Sequence, residues 1–129
     1  MKDLPYLLAS AIATEEGAFN PDPSVIPRRL NNPGDLRFLG QANAIRDPVT
    51  NFAKFSSWQA GVTALYRDIL AKMALKENGK AFSLRQLISA YAPPSENNTA
   101  VYLANVARRV GIKDVDEPLW NLLEIGNIP

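Results

Sequence analysis

Ala11-Ile12-Ala13-Thr14-Glu15-Glu16-Gly17-Ala18-Phe19-Asn20-Pro21 runs from an apolar segment through two acids into a glycine and then a segment that cannot stay helical. Glycine ends helices in the left-handed conformation, and proline beyond it blocks their continuation. Reading back toward the start, Asp3 suits a cap and Pro5 a first turn, so a helix is expected from Pro5 to about Glu16. Its apolar stripe is Leu4, Leu8, Ala11 and Ile12. Met1-Lys2 followed by Leu4 to Ala13 has the outline of a signal peptide. The apolar core is too short for one, Pro5 breaks it and Asp3 spoils the charged start, so no signal peptide is expected.

Beyond Gly17 the chain is irregular as far as Ser57, with four prolines between Pro21 and Pro33. Leu36 to Leu39 and Thr50 to Phe55 read as extended, with Gly40 between them, and suggest a small hairpin. Ser56 with Gln59 has the spacing of a capping box, opening a helix to about Glu77 with Trp58, Val62, Leu65, Ile69 and Met73 inward and Gly79 after it. Ser83 with Gln86 repeats the device for a helix to Tyr91, ended by Pro93-Pro94. Asn97 or Asn98 caps another, burying Leu103, Val106, Ala107 and Val110 and stopping at Gly111. A last short helix is expected over Pro118 to Glu124, burying Trp120 and Leu123. Five helices around a small β element predict a mainly α (α+β) single domain spanning residues 1–129.

Composition narrows the chemistry. The 129 residues include 14 Lys+Arg and 13 Asp+Glu, with neither Cys nor His. Without Cys there is no thiol nucleophile, disulfide or Cys-ligated metal. Without His there is no Ser-His-Asp triad or HExxH zinc site, so proton transfer falls to carboxylates, Lys or Tyr. A net charge of +1 argues against nucleic acid, which wants clustered cations. No 18-residue apolar stretch is present to span a bilayer. No acidic spacing matches a calcium loop, so no cofactor is expected.

Glycoside cleavage needs neither His nor a metal, but it does need a carboxylic acid kept protonated. A glutamate at a helix C-terminus meets the negative end of the helix dipole, which raises its affinity for a proton. Glu15 and Glu16 both sit at such an end. On a helical wheel Glu15 falls on the Leu8–Ile12 stripe and Glu16 on its flank, so the residues alone leave both open.

Ala11 to Pro21 resembles the catalytic segment of lysozyme-like lytic transglycosylases: an apolar helix ending in Glu, a small residue, one variable position, then Phe-Asn-Pro. The register of Phe19-Asn20-Pro21 puts the family's acid on Glu16, with Glu15 the alternative and Gly17 where the family usually has Ser. Ser89-Ala90-Tyr91-Ala92-Pro93-Pro94, then Glu96-Asn97 and Tyr102, is similar to the later Ala-Tyr-Asn-Ala-Gly motif and its downstream Tyr. Asn31-Asn32-Pro33-Gly34-Asp35-Leu36, and Phe55 to Gly61 opening the next helix, resemble segments of small phage and bacterial lysozyme-like proteins. The four motifs stand in the family's order and cover about Ala11 to Gly111. Two departures are plain: Asn31 to Arg37 stands in place of Gly-Leu-Met-Gln, and Tyr91-Ala92 in place of Tyr-Asn.

The resemblance implies cleavage of the peptidoglycan bond between N-acetylmuramic acid and N-acetylglucosamine in the cell wall or periplasm, by a monomer. Glu16 would be acid and then base, and the substrate's N-acetyl group would stabilise the developing cation. Were water the acceptor, Asp35 or Glu96 would be the second carboxylate. Asn31, Asn32, Asp35, Glu96 and Asn97 are the candidate sugar-binding polar groups, with Tyr91 and Tyr102 beside them. Phe55, at a loop–helix junction, is the candidate stacking surface, while Trp58 and Trp120 read as core. The same sequence would also serve an inactive lysozyme-like module that binds glycan, or a helical adaptor gripping a partner with its long loop.

Overall fold

The computed structural model describes residues 3–77, 80–93 and 98–122. They form a mainly helical chain with two small antiparallel hairpins: α1 (Leu4–Glu15), α2 (Ile26–Arg29), β1 (Ala44–Arg46), β2 (Ala53–Phe55), α3 (Trp58–Met73), β3 (Lys76–Glu77), β4 (Lys80–Ala81), α4 (Leu84–Tyr91) and α5 (Thr99–Val110), then a 3₁₀ turn at Leu119–Leu122. Two compact units divide the described residues. One spans 12–68, and the other takes those before and after it.

In the first unit α1 stops where Gly17, at φ +87°, turns left-handed. The amide of Ala18 donates to the Ala13 carbonyl at 2.9 Å and that of Gly17 to Thr14 at 3.1 Å. This crossed pair is a Schellman motif, sealed by the buried side chains of Ala13 and Ala18. Glu16 is thereby set at the C-cap, its own amide still bonded to Ile12 at 3.0 Å.

The extended segments differ from expectation. β2 lies inside the expected Thr50–Phe55 run, but its hydrogen-bonded partner strand is β1, in register Ala44↔Phe55 and Arg46↔Ala53. Leu36 to Phe38 pairs only at a bridge, Arg37↔Phe52. The Leu36 carbonyl accepts from the Ala53 amide as well as from the Asn32 side chain, which also takes the Leu36 N–H, and the Phe38 amide donates to the Asn51 carbonyl.

The helix after β2 begins one residue later than its expected capping box. Ser57, rather than Ser56, accepts the N3 amide, from Ala60 at 3.1 Å. Near its start Gly61 is buried against the turn at Asn31, where any Cβ would collide with the Asn31 carbonyl oxygen and press on Pro33. Leu65 is buried one turn further on, with Leu30, Leu36, Ala53 and Phe55 also enclosed in this unit.

In the second unit α3 ends at Met73 rather than near Glu77, because Lys76–Glu77 pairs with Lys80–Ala81 as a hairpin. Gly79 lies outside the described residues. The Ser83–Gln86 capping box forms with both reciprocal bonds, and Leu84, Leu87 and Ile88 are buried. Asn98 caps α5 through Val101, and Gly111 closes it at φ +86°. Leu103, Val106, Ala107 and Val110 face inward, and α4 packs on α5. The final turn buries Leu119, whose amide donates to Phe82 at 2.8 Å, and leaves Trp120 exposed, against expectation. A turn of this 3₁₀ type eclipses side chains three apart, so the inward position passes to Leu119. Leu123 lies outside the described residues.

Gly61→Ala sets a methyl group against backbone that cannot yield without moving the Asn31 turn. It is expected to cost about 3 kcal/mol and lower the melting temperature by about 10 °C. Thermal unfolding by circular dichroism reads this directly, and a shift under about 2 °C would show that the close approach is dispensable.

Candidate functional site

The segment Asn31 to Leu36 is held by one buried side chain. Asn32 is fully enclosed. Its Nδ2 donates to the Leu36 carbonyl at 2.9 Å and to the Ala53 carbonyl at 2.8 Å, and its Oδ1 accepts from the Leu36 amide at 2.9 Å. These bonds tie the turn to β2 and fix Asn31 and Asp35 at φ +52° and +49°, left-handed positions that asparagine and aspartate tolerate better than other side chains do.

The turn so held brings Asp35 to Glu16, with which its carboxyl is hydrogen-bonded. Burial raises the Asp35 carboxyl to about 8, with the Glu16 charge and the hydrogen bond from Glu16 adding to the effect. Asp35 Oδ1 is itself buried, with no hydrogen-bond partner among the described residues. Two carboxyls can share a hydrogen bond only if one carries a proton. At neutral pH Asp35 therefore keeps its proton beside the Glu16 charge, and the hydrogen bond between them sets that proton within reach of Glu16.

Of the two acids closing α1, it is Glu16 that meets Asp35. Glu15 is the last helical residue and half-buried. Asn31 is half-buried and donates to the Phe55 carbonyl at 3.2 Å. With Ala18, Arg28 and Trp58 it lines a cavity of about 300 Å³, whose walls flank Glu16 and Asp35 in the chain.

Several expected site residues prove structural. Phe55 is 1% exposed and fills the core, because β2 turns it inward beside Ala53; it offers no face for stacking. Asn32 uses its amide wholly on the backbone and has none left for a sugar. Tyr102 is buried on the inward face of α5. Tyr91 is half-buried, with the Lys72 ammonium 5.3 Å from its ring centroid, a cation–π contact. Both tyrosines belong to the unit that excludes residues 12–68. Glu96 and Asn97 lie outside the described residues.

Two contributors escaped the sequence reading. Trp58, assigned there to the core stripe, is half-buried and lines the small cavity. Its place at the first position of α3, where loop gives way to helix, was the available sign. Arg28 donates from Nη1 to the carbonyls of Asn20 and Pro21 at 2.9 and 2.7 Å, closing the loop that leaves Gly17. Among the described residues no group of three acidic side chains is placed to hold a metal, and no helix is long and apolar enough to cross a membrane. Comparison with family models, curated proteins and solved structures gave no match.

Because Asp35 binds its proton more tightly in the folded chain than in the unfolded one, its contribution to stability is full below about pH 4. It is lost as pH rises through about 8. Wild type is thus expected to melt lower at pH 9 than at pH 5. Asp35→Asn, which keeps the shape without the charge, should flatten that slope and melt above wild type at pH 9. Melting curves across this range check it, and parallel pH profiles for the two proteins would contradict it.

Proposed function

We propose that the chain is a peptidoglycan-cleaving glycosidase of the lysozyme-like, lytic-transglycosylase type, with Glu16 as its acid and base. The observation carrying this reading is the one-proton pair of Glu16 and Asp35 at the end of α1. It adds a chemical reason to the motif register that singles out Glu16.

The pair also bears on mechanism. Inverting enzymes hold their two carboxyls roughly 6.5–9.5 Å apart and retaining ones about 5–5.5 Å, with the scissile bond between them. Carboxyls in direct hydrogen bond leave no room for a sugar or a water between them. Asp35 is therefore a positioning residue, a proton store that holds Glu16 in place, and not the second carboxylate of either scheme. What remains is a single working acid assisted by the substrate. The shared proton passes from Glu16 to the glycosidic oxygen as the bond to the muramyl anomeric carbon breaks. The N-acetyl oxygen of the same sugar covers the cation. Glu16, now a carboxylate, takes the proton of the muramyl 6-hydroxyl as that oxygen closes on the anomeric carbon, giving an anhydro end. The cavity lined by Trp58 and Asn31 offers an aromatic wall and an amide to a neighbouring sugar.

Glu16→Gln should lower the cleavage of purified sacculi by a factor of about 10³ or more, since the group both gives and takes the proton. Asp35→Asn should leave measurable activity whose alkaline limb has moved. Mass analysis of the released fragments should show anhydro ends. If wild type and Glu16→Gln both leave sacculi intact, the chain is a glycan-binding module without catalysis. Loss in Glu15→Gln but not in Glu16→Gln would move the acid by one residue.

A further inference from the structure

Leu39 and Val49, each 85% exposed, and Ile45, at 65%, are the three most exposed large apolar side chains among the described residues, and all lie between positions 39 and 49. Single exposed aliphatics are ordinary, but a group of them marks a surface that meets something. The hairpin brings them to one side. β2 turns Ala53 and Phe55 inward and Lys54 outward, and Lys54 is paired with Ile45 across the ladder. On the other edge of β2 the Phe38 amide donates to the Asn51 carbonyl at 3.2 Å. Leu36 is enclosed there, so strand alternation turns Arg37 and Leu39 outward. Leu39 thus leaves the sheet beside the turn that carries Val49, which the Asn51 amide closes on the Asp47 carbonyl at 2.9 Å.

The charge of the same segment is one-sided. Residues 36–55 carry Arg37, Arg46 and Lys54, all exposed, against a single acid, Asp47. Asp47 is buried and spends its carboxylate inward, accepting from the amide and the hydroxyl of Thr50 at 2.9 and 2.7 Å, with the Arg29 guanidinium at 4.0 Å. The whole chain carries only +1, so the surplus is local. The Arg37 guanidinium stands 5.7 Å from the centroid of the Phe52 ring, which interleaves cation and apolar surface on this face.

Exposed aliphatic side chains set among cations, with the one acid turned inward, are what an anionic bilayer accepts. Its hydrocarbon boundary takes the aliphatics, its headgroup phosphates take the cations, and no shape match is required. A second copy of the chain is a poorer occupant, because apposing the same face twice sets cations against cations. We propose that this face docks on an anionic lipid bilayer, with Leu39, Ile45 and Val49 entering the headgroup boundary and Arg37, Arg46 and Lys54 lying against phosphates. The inference goes beyond the cleavage reading and does not rest on Glu16.

The probe is sucrose-loaded vesicles of phosphatidylglycerol and phosphatidylcholine in equal parts, sedimented with the full chain at low salt. Wild type and Glu16→Gln should sediment alike with these vesicles and stay in solution with phosphatidylcholine alone. A cation near such a surface is worth about fivefold in partitioning, so Arg37→Ser with Lys54→Ser should bind at least about tenfold more weakly. Leu39→Ser with Val49→Ser should lose a similar factor with every charge kept, which a purely electrostatic encounter would not show. Both positions are exposed, and unchanged melting temperatures will show that the fold is kept. Arg108→Ser with Lys113→Ser removes two exposed cations from the other unit and should bind as wild type. No sedimentation with the mixed vesicles, unchanged binding by the Leu39 and Val49 variant, or an equal loss from the Arg108 and Lys113 variant overturns the docking face. So does self-association without vesicles that the Leu39 and Val49 variant abolishes, which would give the face to a second copy.

Discussion

The amide of Asn32 makes three backbone bonds from a position with no solvent contact. Each contributes on the order of 1 kcal/mol, but the Ala53 carbonyl and the Leu36 amide it serves would be stranded without it, at about 1–3 kcal/mol apiece. That asymmetry makes the Asn31–Leu36 turn a fixed object and not a loop among several shapes. Two neighbouring residues are held left-handed as a consequence. Asn31 presents its carbonyl to Gly61 at the start of α3, and Asp35 presents its carboxyl to Glu16. A side chain that looks suited to sugar recognition thus serves to assemble the place where chemistry can occur.

The second determinant is the end of α1. A Schellman closure fixes the backbone of the C-cap residue, and Glu16 occupies that position. The negative end of the helix dipole, the burial of Asp35 and the closeness of the two acids all disfavour a second negative charge. They act in the same direction, and together they hold a proton where an ordinary surface pair would have lost it. The cost in stability at alkaline pH is the counterpart of the acid strength the site retains.

Local signals were legible where one residue decides the outcome. Gly17 and Gly111 mark helix ends, Ser83 with Gln86 forms its box, and the α4 and α5 stripes are buried as their spacing implies. Legibility failed where two local solutions compete. Ser56 and Ser57 both suit a cap, and the choice depends on how β2 delivers the chain. Leu36 to Leu39 has strand composition and bonds the Asn51–Ala53 stretch through backbone, but only as a bridge, while the continuous ladder of β2 forms with Ala44–Arg46. In the candidate site the end of α1 is legible from Gly17, whereas no residue near Asp35 marks Glu16 as its partner. Nothing local says that a turn nineteen positions on will bring it to Glu16. Phe55 illustrates the converse: its place at a junction suggested exposure, but strand alternation buried it with Ala53.

The central claim is that Glu16 and Asp35 hold one proton between them at neutral pH. Carboxyl carbon shifts of the two side chains, followed by NMR from pH 3 to 10, test it most directly. The expected result is a titration of Asp35 near pH 8 that is sensed at the Glu16 carbon and vanishes in Asp35→Asn. Two independent titrations at about pH 4, the ordinary range for exposed acids, would contradict it.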